Sequence, residues 1–219
     1  MKNKNLIATA LLVSAYLLQS CDNTNNKNKM GSSMQNDSMN SGKMQMDNGK
    51  MQSMSSMMDK MKDMKMTGDF DLDFANMMIM HHQAAVDMSQ VEIVEGTDEK
   101  IITMAKNIIT AQNAEIGQLR DFIKTYNVPE TKKKSDEMHG ELAKTMKAMM
   151  DKMNTMKMTG NADKDFVMMM VPHHESAVKM AQAELLHGKQ PELKKMAQKI
   201  ISDQNNEINE FKSWSSKQK

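Results

Sequence analysis

The sequence predicts an all-α protein, a helical bundle made by tandem duplication of one unit. Of its 219 residues, 30 are Met, a good helix former, whereas only 3 are Pro and 9 are Gly. Aromatic residues make up 4%, which disfavours a β-sandwich or barrel. Apolar residues recur at helical spacing, and the pattern occurs twice at a constant offset of 92 residues, as from His81 to His173.

The N-terminus has the pattern of an export signal. Lysines precede an apolar run over residues 6–18, which is short for a transmembrane span but typical of a signal peptide. The run ends at Cys21 in a stretch that resembles a bacterial lipobox, although Gln19 stands where a small residue is usual. We therefore predict a lipoprotein signal peptide over residues 1–21, lipidation of Cys21 and a place in the cell envelope. An ordinary secreted protein with an incidental cysteine is the alternative.

Residues 22–50 are rich in Asn, Lys, Ser and Met and nearly lack branched apolar residues. Such a segment buries too little surface to offset its ordering entropy, so a flexible tether is predicted. The methionines of this segment either reflect random drift in a low-complexity sequence or form a loose array of thioether ligands that captures Cu(I) or Ag(I).

The duplicated units are predicted over residues 51–127 and 138–215, with a charged linker over 128–137 between them. Each unit reads as a Met-rich amphipathic helix followed by two long helices. The second helix, near 69–95 and 163–187, carries a His-His pair, and the third begins near Asp98 and Pro191. Short links between long amphipathic helices imply antiparallel neighbours in a bundle.

Polar residues interrupt the apolar faces of these helices. At about 100° per residue, His81 and Glu92 share a face with Phe74 and Met88 on the second helix. The third helix sets Gln112 and Glu115 within its apolar stripe. Because unpaired polar groups in a core are costly, we expect these side chains to meet each other or a metal ion.

Imidazole and thioether together suit copper, and Cu(I) above Zn(II) or iron, because thioether is soft and neutral. Ag(I) could mimic Cu(I). Glutamine and glutamate on the third helix could orient the imidazoles. The candidate ligands are His81, His82, Met78, Met88 and Met104 in the first unit and His173, His174, Met170, Met180 and Met196 in the second, with Gln112, Glu115, Gln204 and Glu207 as the orienting residues.

These residues resemble the motif of the bacterial domain-of-unknown-function family 305. The resemblance covers roughly residues 57–215, and in the first copy Met80 and Ser89 replace a proline and an alanine without loss of a candidate ligand. It implies a ferritin-like bundle, and some members are CopM-like periplasmic copper-binding proteins implicated in copper resistance. The matching residues of the second copy are Phe166, Met170, Pro172, His173, His174, Ala177, Met180, Ala181, Gln204, Glu207 and Ile208.

The leading interpretation is a lipid-anchored copper-binding protein that sequesters Cu(I) or passes it to a protein partner, and not an enzyme. A di-iron oxidoreductase needs two Glu-x-x-His motifs, but only Glu184 and His187 form one, since Glu92 is followed by Glu95. A non-metal interaction module with adaptable methionine surfaces is the third possibility. A net charge of +1 gives no electrostatic footprint for nucleic acid.

Overall fold

The fold is known from a computed structural model, which describes residues 37–128 and 136–218. These ranges form six helices and contain no strand. None of the six helices is long and apolar enough to cross a membrane. The helices are α1 (Asp37–Asp63), α2 (Phe70–Glu95), α3 (Glu99–Thr125), α4 (Asp136–Asn154), α5 (Ala162–His187) and α6 (Pro191–Ser216).

The central helices α2 and α5 start at equivalent capped turns. The Asp69 side chain accepts a hydrogen bond from the backbone N–H of Leu72 at 3.1 Å, which satisfies one of the free donors of the first turn. Asn161 caps α5 in the same way. Gly68 and Gly160, which precede these caps, have φ angles of 81° and 74°, a conformation that glycine adopts at little cost.

Two predicted boundaries are wrong. Helix α1 begins at Asp37, inside the predicted tether of residues 22–50. Met and Lys are good helix formers even without branched apolar neighbours, and buried Lys50 joins the helix to α2 through Glu92. Helix α4 begins at Asp136, within the predicted linker. The signal peptide, Cys21 and the first part of the tether lie outside the described residues.

The helices pack as two antiparallel hairpins with one extra helix on each. α2 contacts α3, α5 contacts α6, and the hairpins meet through α2 and α5, while α1 packs on α2 and α4 on α5. Phenylalanine and methionine side chains fill the core, among them the fully buried Phe74, Phe166 and Phe211. The predicted all-α, ferritin-like bundle with a duplicated unit is confirmed.

An aspartate of each unit accepts hydrogen bonds from backbone N–H groups in a loop of the other unit. Asp71, at the start of α2, accepts hydrogen bonds from the backbone N–H groups of Lys189 and Gln190, each at 2.8 Å, in the loop after α5. Asp163, at the start of α5, accepts from Thr97 and Asp98 in the loop after α2. Reciprocal contacts between equivalent residues define a pseudo-twofold relation between the units.

Candidate metal centre

The four histidines of the two repeats meet where α2 crosses α5. His81 and His173, one from each unit, have ring centroids 3.8 Å apart with an interplanar angle of 41°. His82 and His174 follow each of them in sequence, with centroids 6.2 Å from those of their neighbours. All four side chains are fully buried. We call His81, His82, His173 and His174 the histidine cluster.

None of the eight ring nitrogens of this cluster has an aligned hydrogen-bond partner in the part of the chain that the structure describes. An imidazole N–H or lone pair buried without a partner costs on the order of 1–3 kcal/mol. Folding four such groups into one place is therefore expensive unless a ligand satisfies them. The nitrogens are the feature of this core that packing alone does not explain.

Burial also sets the protonation state of the central pair. Desolvation, followed by the neighbouring imidazoles, holds the pKa of His81 well below its usual range. The same causes lower the pKa of His173. Both rings are consequently neutral at physiological pH, which is the form that donates a lone pair to a metal.

Carboxylates of α3 and α6 lie beside the outer histidines. Oε2 of Glu115 is 2.9 Å from Nε2 of His82, and Oε2 of Glu207 is 2.7 Å from Nε2 of His174. Both are ion-pair distances, although the ring N–H direction is not aligned for a hydrogen bond. Burial would raise the pKa of Glu115, but His82 and Lys199 outweigh it and lower the pKa.

The predicted methionine ligands lie in the same core. Met78, Met88, Met170 and Met180 are fully buried, and Met104 and Met196 are nearly so. Gln112 and Gln204 are also buried, and their amide groups have no partner among the described side chains and backbone. Over the described ranges, no three His, Cys, Asp or Glu side chains are arranged to hold a metal ion. A site here would need thioether donors or a rotation of the tilted rings of His81 and His173.

Sequence reasoning missed the lysine partners of two buried carboxylates and one contact within the histidine cluster. Lys50 was placed in a tether, but its ammonium lies 2.9 Å from Glu92. Lys199 of α6 contacts Glu115 at 3.1 Å and so joins the second unit to the first. The contact between His81 and His173 was left open, because a repeat does not say how its copies meet. The 92-residue offset pairs Lys50 with the apolar residue Leu142, and this pairing was a signal in the sequence that position 50 is buried.

The Glu-x-x-His motif of the second unit does not converge on one point. Glu184 is fully buried next to Asp71. His187, one turn later, lies 3.0 Å from Glu141 and has its ring 5.3 Å from that of Phe70. The two side chains have different neighbours, so the motif does not form half of a di-iron site in this fold.

The chain belongs to the family of the domain of unknown function DUF305. The family model matches residues 15–123 and again residues 71–215. Two overlapping matches are consistent with two tandem copies of the domain. No match was found among curated proteins.

Solved structures similar to this chain include CopM in two metal-bound forms. CopM in the Ag-bound form is 29% identical, with a TM-score of 0.51, and the match covers 70% of this chain and 98% of CopM. CopM in the Cu(I)-bound form is 28% identical, with a TM-score of 0.51, and the match covers 67% of this chain and 96% of CopM. A DUF305 fragment from Deinococcus radiodurans is 21% identical, with a TM-score of 0.51 over 68% of this chain and 96% of the fragment, and supports the fold alone.

Proposed function

We propose that this protein binds copper as Cu(I) at the histidine cluster, outside the cytoplasm, and holds it for sequestration, resistance or transfer to a partner protein. The observation that carries the proposal is the burial of four imidazoles whose ring nitrogens lack aligned partners in the described part of the chain, with a carboxylate at ion-pair distance only from Nε2 of His82 and of His174. A metal ion would accept the lone pair of one nitrogen in each imidazole that it binds and so recover part of the free energy lost in their desolvation.

The donor chemistry favours Cu(I). The buried core around the cluster offers neutral imidazole and neutral thioether, and soft donors select Cu(I) over Zn(II) or Mg²⁺. A neutral donor set in an apolar core also adds no negative charge that would have to be buried beside the ion. The similarity to CopM, which was solved in Ag-bound, Cu(I)-bound and Cu(II)-bound forms, supports copper as the metal, while the preference for Cu(I) rests on the donor chemistry.

The residues that would hold the ion are His81 and His173, with buried methionines of α2 and α5 as further donors. Glu115 and Glu207 lie against the outer histidines and would fix their ring orientation, as carboxylates commonly do beside metal-bound imidazole. Lys199 holds Glu115 in place from the second unit. The copper would therefore be held jointly by both units.

Titration with Cu(I) under anaerobic conditions tests the proposal. Replacing His81, His82, His173 and His174 with alanine is expected to weaken Cu(I) binding by at least 100-fold, because the imidazole donors are removed. The measurement is competition against a chromogenic Cu(I) chelator, together with circular dichroism to verify that each variant is folded.

His187→Ala is the matched control, because His187 lies outside the cluster and contacts Glu141 at the surface. It should bind Cu(I) as the wild type does. Unchanged Cu(I) affinity in the folded quadruple variant would show that the ligands lie elsewhere.

The lipid anchor is a separate part of the proposal, supported by the lipobox-like sequence that ends at Cys21. Cys21→Ser is expected to move the protein from the membrane fraction to the soluble envelope fraction, since acyl chains supply membrane affinity. Cell fractionation with immunoblotting measures this, and Ser20→Ala serves as a control that keeps the thiol. Equal membrane retention of Cys21→Ser and wild type would contradict the anchor.

A further inference from the structure

Lys50 of α1 occupies a buried pocket between the two units. Its side chain is almost completely buried although it is charged. Nζ lies 2.9 Å from Oε2 of Glu92 and donates to the carbonyl oxygen of Ala162 at 2.9 Å. Asp163 faces Glu92 from the start of α5. The ammonium thus compensates a carboxylate that lies in the core beside a second acidic group.

The second unit repeats this pocket without its cation. The 92-residue offset converts Glu92 to Glu184, Asp163 to Asp71 and Ala162 to Phe70, but it converts Lys50 to Leu142. Glu184 and Leu142 are both fully buried. No N–H or O–H group of the described residues donates to the carboxyl oxygens of Glu184. The neighbouring Asp71 carboxylate is within hydrogen-bonding reach of Glu184 when Glu184 is protonated.

The absence of a side chain at Gly188 leaves space for the carboxyl group of Glu184, as Gly96 does for Glu92. A Cβ atom at Gly188 would come within 2.0 Å of Oε1 of Glu184, and one at Gly96 would come within 2.5 Å of Oε1 of Glu92. The φ angle of Gly188 is −62°, which any residue adopts. A Cβ atom at Gly188 would also come within 2.6 Å of the backbone carbonyl oxygen of Glu184, so both the carboxyl group and the end of α5 require glycine at this position.

We propose that the Glu184 pocket binds a small monovalent cation, K⁺, Na⁺ or ammonium, in the place that the Lys50 ammonium has in the first unit. The ligands are the carboxylate of Glu184 and the carbonyl oxygen of Phe70, the counterpart of Ala162, with the carboxylate of Asp71 nearby. Hard cations take such oxygen donors. The pocket is distinct from the histidine cluster, since Glu184 lies about 15 Å further along α5 than His174 at a rise of about 1.5 Å per residue.

The charges around Glu184 favour a cation. Burial and then the Asp71 carboxylate raise the pKa of Glu184 to about 9, with Asp69 adding to the effect and Lys194 opposing it. The pKa of Glu92 is raised only to about 7, because Lys50 lowers it. A proton neutralises Glu184 when no other cation is present, so the bound cation competes with that proton.

Thermal unfolding in different salts tests this site. At pH 8 and one ionic strength, the wild-type protein is expected to melt about 2–4 °C higher in at least one of the chlorides of K⁺, Na⁺ and ammonium than in tetramethylammonium chloride, which is too large for the pocket. Leu142→Lys should abolish the difference, since the new ammonium fills the site. Glu184→Gln should abolish it as well, since the amide carries no charge.

Equal melting temperatures in all four salts would overturn the proposal and leave the proton as the only partner of Glu184. The same salt dependence in Glu184→Gln as in the wild type would also overturn it, because the cation would then bind elsewhere. Glu184→Gln keeps the shape of the side chain, so the test stands even where Leu142→Lys does not fold.

Discussion

A His81→Leu and His173→Leu double variant is expected to be more stable than the wild-type protein and to lose its response to Cu(I). In the metal-free protein, leucine removes four buried ring nitrogens that have no aligned partner among the described residues. Each unsatisfied group costs on the order of 1–3 kcal/mol, and imperfect packing of leucine returns part of the gain. We expect a net stabilisation of about 2 kcal/mol, or roughly 4–8 °C in melting temperature.

Differential scanning calorimetry with and without Cu(I) measures both effects. Cu(I) should raise the melting temperature of the wild type, because a ligand that binds the folded state stabilises it, and should leave the double variant unchanged. His187→Leu is the control, since that side chain is partly exposed and contacts Glu141. It should keep the Cu(I) response. A double variant less stable than wild type without metal would show that the imidazoles have stabilising partners in the core.

Lys50→Leu is expected to destabilise the protein by about 3 kcal/mol at pH 8, because it leaves the Glu92 carboxylate buried without its partner. The loss should shrink as the pH falls. The pKa of Glu92 is already raised to about 7 with Lys50 present, and it rises further when the ammonium is removed. Below that pKa the carboxyl group is protonated and no longer needs a cation. Urea unfolding at pH 5 and pH 8 measures the difference.

The sign of this pH dependence follows from proton linkage. Between the unfolded pKa of 4.5 and the folded pKa of about 7, the folded protein binds more protons at Glu92 than the unfolded chain does. Stability contributed by this group therefore falls as pH rises through that window. Lys147→Ala removes an exposed ion pair with Asp151 and should change stability little at either pH. A Lys50→Leu loss that is equal at pH 5 and pH 8 would contradict the buried pair.

Most of the fold follows from local patterns in the sequence. The start of α2 was predicted near residue 69, and that of α6 at Pro191 from the preference of proline for the first helical position; both are found within one residue. The 92-residue repeat predicted that α5 and α6 form the same arrangement as α2 and α3. The start of α1 was missed, because a polar, Met-rich composition does not distinguish a tether from the first turns of a helix that packs through Lys50, Met54 and Met57.

The contacts between the units could not be predicted in the same way. Asp71 and Asp163 are acidic residues in the first turns of α2 and α5, and each also accepts hydrogen bonds from the other unit's loop. A repeat fixes which residues are equivalent, but it carries no information on how two copies are oriented. For the same reason the sequence predicted the histidines but not that the rings of His81 and His173 lie 3.8 Å apart.

The reciprocal loop contacts bear on how the molecule could have arisen. The loop between the two long helices of each unit has backbone N–H groups that donate to the other unit's aspartate, so each unit depends on the other for these hydrogen bonds. Two identical chains of half this length could make the same contacts with each other as a symmetric homodimer. Fusion of such chains would preserve that arrangement and free each copy to diverge, as Lys50 and Leu142 have done.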